Sequence, residues 1–84
     1  MARLALPDID RALQRYKENH RGRVPLYILL SPSDADFLME QVRMRERWPE
    51  GVTVTEYNGA KLVRHEGVPE GEVQLSDELP GIAG

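Results

Sequence analysis

A short apolar run bounded by two prolines, and followed at once by a helix-start signal, limits the fold of this chain most. The run from Leu26 to Leu30 (LYILL) is too short and too uniformly apolar for an amphipathic surface helix. Pro25 and Pro32 bound it, and such a run is typical of a short strand buried on both faces. We therefore expect this strand in the centre of a small sheet, with a helix packed against it.

A second helix is predicted to begin directly after this strand, at the residues SPSD. Ser31 can accept a hydrogen bond as the N-cap, and Pro32 occupies the first turn without losing a needed donor. Asp34 follows three residues after the cap, as in a capping box. The pattern continues through Arg47, and Pro49 then disfavours helical geometry in the residue before it.

This second helix carries apolar residues on two faces. One face is formed by Ala35, Leu38, Met39 and Val42. Phe37, Met44 and Trp48 lie off that stripe, so we expect contact with more than the sheet, either with the first helix or with a partner. Together with two residues of the last predicted strand, they form the predicted partner-binding set: Phe37, Met44, Trp48, Val73 and Leu75.

The Asn-Gly dipeptide at positions 58–59 is the strongest hairpin signal in the chain. Both residue types tolerate the positive φ angles of a two-residue turn between antiparallel strands. The register that follows places Glu56 opposite Lys61, an oppositely charged pair, and Val54 opposite Val63, an apolar pair. Each match is independent of the turn residues and supports the same register.

The first predicted helix runs from about Pro7 to Arg21. Its apolar stripe recurs at three- and four-residue steps and consists of Leu6, Ile9, Leu13 and Tyr16. Pro7 suits the first turn, and Gly22 offers a left-handed stop after the last.

These elements predict an α/β (α+β) domain over residues 1–76, with two helices on one face of a three- or four-stranded mixed sheet. A turn at 68–71 precedes a last short strand at 72–75. Residues 77–84 are predicted to form a flexible or partner-docked C-terminal tail.

The composition is that of a small globular domain. Of the 84 residues, 40% are hydrophobic and 30% are charged, and none is cysteine, which excludes disulfides and thiolate metal sites. No apolar run approaches the length needed to span a bilayer, and the first residues lack the apolar run of a signal peptide. We therefore expect a cytoplasmic protein that does not enter membranes.

The net charge is −3, and the charge is unevenly distributed along the chain. Residues 1–25 are mainly basic, whereas residues 51–84 are mainly acidic. This asymmetry fits a nucleic-acid face, a head-to-tail contact between subunits, or two solvated surfaces that simply differ. The candidate nucleic-acid residues are Arg11, Arg15, Lys17, Arg21 and Arg23. Overall acidity and the absence of interleaved exposed aromatic residues argue against this alternative.

Catalytic constellations are weak in this sequence. His20 and His65 lack the carboxylate spacing of a metal site, and capping explains Ser31 and Ser33 better than a nucleophile elbow does. We therefore predict no enzyme, no cofactor, no metal and no small-molecule substrate.

The order of strand, capped helix, hairpin and strand resembles part of the axial domain of tailed-phage major capsid proteins. The residues that carry the resemblance are Ser31-Pro32-Ser33, Tyr57-Asn58-Gly59, Leu62-Val63 and Val68-Pro69-Glu70-Gly71-Glu72. The chain lacks the long arm, extended loop and peripheral domain of a shell-forming protein. The resemblance implies a small phage or prophage structural or accessory protein, associated with the virion.

The sequence thus predicts a non-enzymatic protein-binding or assembly module that binds a protein partner or itself. A nucleic-acid-contacting accessory protein that uses the first helix is the alternative.

Overall fold

Two helices and a four-stranded mixed sheet make up residues 4–77, the part of the chain that the structure, a computed structural model, describes. In chain order the elements are α1 (Leu6–Asn19), β1 (Tyr27–Leu30), α2 (Pro32–Arg45), β2 (Glu56–Tyr57), β3 (Ala60–Arg64) and β4 (Val73–Ser76). The strand order is β2-β3-β1-β4, with β1 parallel to β3 and antiparallel to β4. The predicted fold class is confirmed. The predicted tail, apart from Asp77, lies outside the described residues.

Both helices pack against the same face of the sheet. Ile9 and Leu38, one from each helix, are 0% exposed and share one hydrophobic cluster with Ile28 and Leu30 of β1. Leu29 alternates to the opposite face and is still only 1% exposed. The central, doubly buried strand that the apolar run predicts is therefore confirmed.

Helix α2 begins as the sequence predicts and ends earlier. The Ser31 hydroxyl accepts a hydrogen bond from the Asp34 N–H at 3.2 Å, which makes Ser31 the N-cap. The helix ends at Arg45 rather than Arg47, because Arg47 adopts a left-handed φ of 60°. The left-handed backbone at Arg47 therefore terminates α2, and Pro49 lies beyond the end of the helix.

The hairpin register at the Asn-Gly turn is confirmed for Glu56 opposite Lys61, with Tyr57 opposite Ala60. The predicted pair of Val54 with Val63 is not part of the ladder. In a continuous strand Val54 would share a face with Glu56, yet it is 8% exposed within the same cluster as Tyr57. The Leu62 N–H still donates to the Thr55 carbonyl oxygen at 2.8 Å, so the predicted register extends to Thr55 and the chain leaves the ladder at Val54.

Helix α1 starts and stops within two residues of its predicted bounds. Its N-cap is Ala5, which has no side-chain acceptor, and the Asp8 carboxylate accepts a hydrogen bond from the Ala5 N–H at 2.9 Å. At the other end, Arg21 has a left-handed φ of 56°, one residue before the predicted stop at Gly22. The Gly22 N–H closes the end by donating to the Lys17 carbonyl oxygen at 2.7 Å.

Candidate functional site

Strand β4 lies at an edge of the sheet. Its only neighbour among the strands of residues 4–77 is β1. The other edge is formed by β2, which has two residues. The sequence predicts a last short strand at 72–75, and the structure places it at Val73–Ser76.

The hydrogen bonds of β1 determine which of its backbone groups face β4. The carbonyl oxygens of Leu26 and Leu30 accept from the N–H groups of Lys61 and His65, at 2.9 and 2.8 Å, on the side of β3. Successive residues of a strand direct their backbone groups to alternate sides. The N–H and C=O of Leu29 therefore face β4.

This alternation carries over to β4 itself. Leu29 is directly opposite Gln74, so the backbone groups of Gln74 face β1. Those of Val73 and Leu75 consequently point away from the sheet. Within residues 4–77, no further strand pairs with the donors and acceptors of these two residues, which form the open edge of the described sheet.

A groove runs between α1 and this edge. The residues that line it are Ala12, Arg15, Tyr16, Asn19, His20, Val73 and Leu75. Val73 and Leu75 are half-buried, since their side chains pack on the core from the helix side. The same two residues thus offer backbone groups to the edge and apolar side chains to the groove.

Tyr16 and His20 form a fixed wall of the groove. Their rings stack at a centroid distance of 3.8 Å, and His20 Nδ1 donates to the Tyr16 carbonyl oxygen at 2.8 Å. Burial raises the pKa of the Tyr16 hydroxyl, and a hydrogen bond with Asp77 raises it further. This contact ties α1 to the residue that follows β4.

The predicted partner-binding residues are divided between two surfaces and the core. Val73 and Leu75 line the β4 groove, whereas Trp48 lines a separate groove beside β2, at the other edge of the sheet. Met44 is 58% exposed. Phe37 is half-buried and packs against the hydrophobic cluster, because the face of α2 that carries it is partly covered. The five residues therefore do not form one surface.

The predicted basic set lies on α1 and the segment that follows it. Arg11 forms an ion pair with Asp8, one turn earlier on the helix. The others are exposed, and within residues 4–77 none of them makes a salt bridge: Arg15, Lys17, Arg21 and Arg23. Tyr16, the aromatic residue among them, stacks on His20 in the wall of the β4 groove.

Ser33 and His65, two of the residues considered for catalysis, and the N-terminal Asp34 of α2 contact the connection between β3 and β4. The buried Asp34 carboxylate accepts from the Gly71 N–H at 2.7 Å, and Ser33 donates to Glu70 at 3.1 Å. His65 Nδ1 accepts from the Gly67 N–H at 3.0 Å. Across the described residues, no group of His, Asp and Glu side chains is arranged to hold a metal ion.

A polar contact that the sequence did not reveal joins three elements. The Tyr57 hydroxyl donates to Asp10 Oδ1 at 2.5 Å and accepts from Arg45 at 2.9 Å. Burial raises the pKa of Tyr57, and the Asp10 carboxylate raises it further. The two ends of the Tyr57–Asp10 bond are 47 positions apart, so no local pattern could have indicated it.

Comparisons with protein-family models, with curated proteins and with solved structures found no match. Neither helix within residues 4–77 is long and apolar enough to cross a membrane.

Proposed function

We propose that this protein is a non-enzymatic protein-binding or assembly module that binds an extended segment of another polypeptide at the outer edge of β4. One observation carries the proposal. Val73 and Leu75 direct their backbone groups along the open edge and their side chains into the groove beside α1. An added strand would gain main-chain hydrogen bonds at the edge and side-chain contacts in the groove.

The composition of β4 supports this role. Natural edge strands are usually protected by lysine, proline or an inward-pointing charge. The four residues of β4, VQLS, include none of these. An edge left without such protection is suited to pairing with another chain.

The geometry also defines the pattern of the bound segment. Residues directly opposite each other in adjacent strands project to the same face of the sheet. Side chains opposite Val73 and Leu75 would enter the groove, and the side chain opposite Gln74 would lie on the helix-free face. The expected pattern is apolar, polar, apolar.

The flanks of β4 favour a different protein over a second copy. Glu72 and Asp77 lie at the two ends of the strand. Pairing two β4 strands would gather like charges along one edge, which is unfavourable. A segment with lysine or arginine at its ends would complement the flanks instead.

The capsid-like sequence order supports a phage or prophage assembly as the setting, with the protein either cytoplasmic or virion-associated. The alternative is nucleic-acid binding through the exposed cations of α1 and the segment after it, Arg11, Arg15, Lys17, Arg21 and Arg23. A gel shift that weakens steeply with salt would favour that alternative.

Selection of linear peptides from a random displayed library against the folded protein tests the proposal. We expect enriched peptides with the alternating pattern, and we expect Val73→Pro to weaken their binding by about tenfold or more. Proline there removes an outward N–H and is tolerated as the first residue of a strand.

Gln74→Ala is the matched control, since it changes the neighbouring side chain on the helix-free face. It should leave the affinity within about twofold of the original protein. Thermal melts should show that both variants fold. Peptides that bind Val73→Pro as well as the original protein, or a selection that enriches no sequence, would contradict strand addition at β4.

A further inference from the structure

Trp48 is a half-exposed aromatic residue that three hydrogen bonds hold in place. The backbone N–H of Trp48 donates to the Arg43 carbonyl oxygen at 2.9 Å. The backbone carbonyl oxygen of Trp48 accepts from the Arg43 guanidinium, also at 2.9 Å. The indole N–H donates to Glu46 Oε1 at 2.8 Å. The side chain is nevertheless 49% exposed. The ring is therefore oriented by the protein without being buried by it.

The backbone that positions Trp48 includes an unfavourable conformation. Arg47 has a φ of 60°, in the left-handed region that non-glycine residues adopt at a cost. Its N–H donates to the Met44 carbonyl oxygen, which together with the Trp48–Arg43 bond makes a Schellman-type helix end.

Two glutamates line the groove beside Trp48, and one of them, Glu56, lies opposite Lys61 of β3. Besides Trp48, the residues that line this groove are Glu46, Val52, Thr53, Val54, Thr55 and Glu56. No lysine, arginine or histidine of residues 4–77 lines it. Val52 is 39% exposed and adds an apolar wall. An aromatic face beside two carboxylates is complementary to a planar cation.

We infer that this groove binds an arginine side chain presented by a partner polypeptide. The guanidinium stacks on the Trp48 ring, where cation–π attraction is strongest for tryptophan. Its N–H groups donate to the carboxylates of Glu46 and Glu56. The aliphatic stem of the arginine packs against Val52.

This site is separate from the edge of β4. The groove lies beside β2, and the strand order places β2 and β4 at opposite edges of the sheet. Loss of one site therefore leaves the other intact, and the two proposals fail independently. A partner that engages both would hold the domain from two sides.

Trp48 is the only tryptophan in the chain, so its fluorescence reports the occupancy of the groove directly. The probe is a short, blocked glycine–arginine peptide, and the control is the same peptide with glutamine in place of arginine. We expect a saturable change in Trp48 emission with the arginine peptide and none with the glutamine peptide. The apparent affinity should fall as salt screens the carboxylates.

The variant Glu46→Gln/Glu56→Gln should weaken binding of the arginine peptide by about tenfold. Glu18→Gln/Glu66→Gln, which makes the same change in net charge outside the groove, should bind like the original protein. Equal responses to the two peptides, or unchanged binding by Glu46→Gln/Glu56→Gln, would overturn the inference. So would an emission change that depends on protein concentration alone, since a second copy would then be the occupant.

Discussion

Replacing Tyr57 with phenylalanine tests whether the contact among α1, α2 and β2 stabilises the fold. The ring is 5% exposed within the hydrophobic cluster, and phenylalanine preserves its packing. The substitution removes the hydroxyl that donates to Asp10 and accepts from Arg45. No other atom of the core is lost.

The expected loss follows from the exposure of the two partners. A hydrogen bond to a charged group contributes about 1.5–3 kcal/mol, and less where water can replace the lost partner. The side chains of Asp10 and Arg45 are 41% and 57% exposed, so water replaces the hydroxyl at both. We therefore expect a total loss of about 2 kcal/mol for the pair of bonds. In a domain of this size that lowers the melting temperature by roughly 8–16 °C.

The assay is chemical denaturation of the original protein, Tyr57→Phe and Tyr27→Phe. The Tyr27 hydroxyl makes no hydrogen bond within residues 4–77, so its removal should change the free energy of unfolding by less than about 0.5 kcal/mol. A similarly small loss for Tyr57→Phe would refute the reasoning, because the contact would then be incidental.

The pH dependence supplies a second check on the same residue. The pKa of Tyr57 is raised in the folded protein, so the unfolded chain releases this proton first as the pH rises. The stabilisation is complete below the unfolded pKa of about 10 and is lost as the pH rises through the folded pKa. Tyr16 is shifted in the same direction in both proteins. The original protein should therefore lose stability in alkali more steeply than Tyr57→Phe.

Three further predictions concern the core, the first helix and the open edge. Leu38→Ala should cost about 2–5 kcal/mol in denaturant melts, because the side chain is 0% exposed. Ala5→Ser should stabilise the protein by about 1 kcal/mol in the same melts, since it adds the missing N-cap acceptor in an extended backbone. In hydrogen exchange followed by NMR, the Leu75 amide should exchange much faster than the Gln74 amide. Equal protection of these two amides would contradict the assigned direction of the β4 backbone.

Local chemistry allowed much of this fold to be predicted from sequence. The cap at Ser31 and the Asn-Gly turn each satisfy their backbone requirements within four residues, so their patterns are readable along the chain. The end of α2 was harder to predict. Arg47 has a left-handed φ at a helix end where glycine or asparagine is the usual residue, so its sequence gives no stop signal.

Contacts between distant residues could not be predicted in the same way. The Tyr57–Asp10 bond depends on how α1 crosses the sheet, and no periodicity encodes that crossing. The predicted partner-binding residues share an apolar character. The fold nevertheless places Trp48 and Leu75 at opposite edges of the sheet. Apolar composition identified the candidate residues, whereas their burial and grouping depended on the fold and the strand order.

The central position of β1 has a consequence for biosynthesis. This strand emerges early, yet its partners are residues 61–64 on one side and 73–76 on the other. Until those segments leave the ribosome, Ile28 to Leu30 present an apolar strand with both edges open, which is a template for aggregation. We expect ribosome-bound chains that stop before β4 to recruit chaperones, and chains that include β4 to be released from them. The strand proposed to bind a partner in the mature protein is thus also the one that completes its folding.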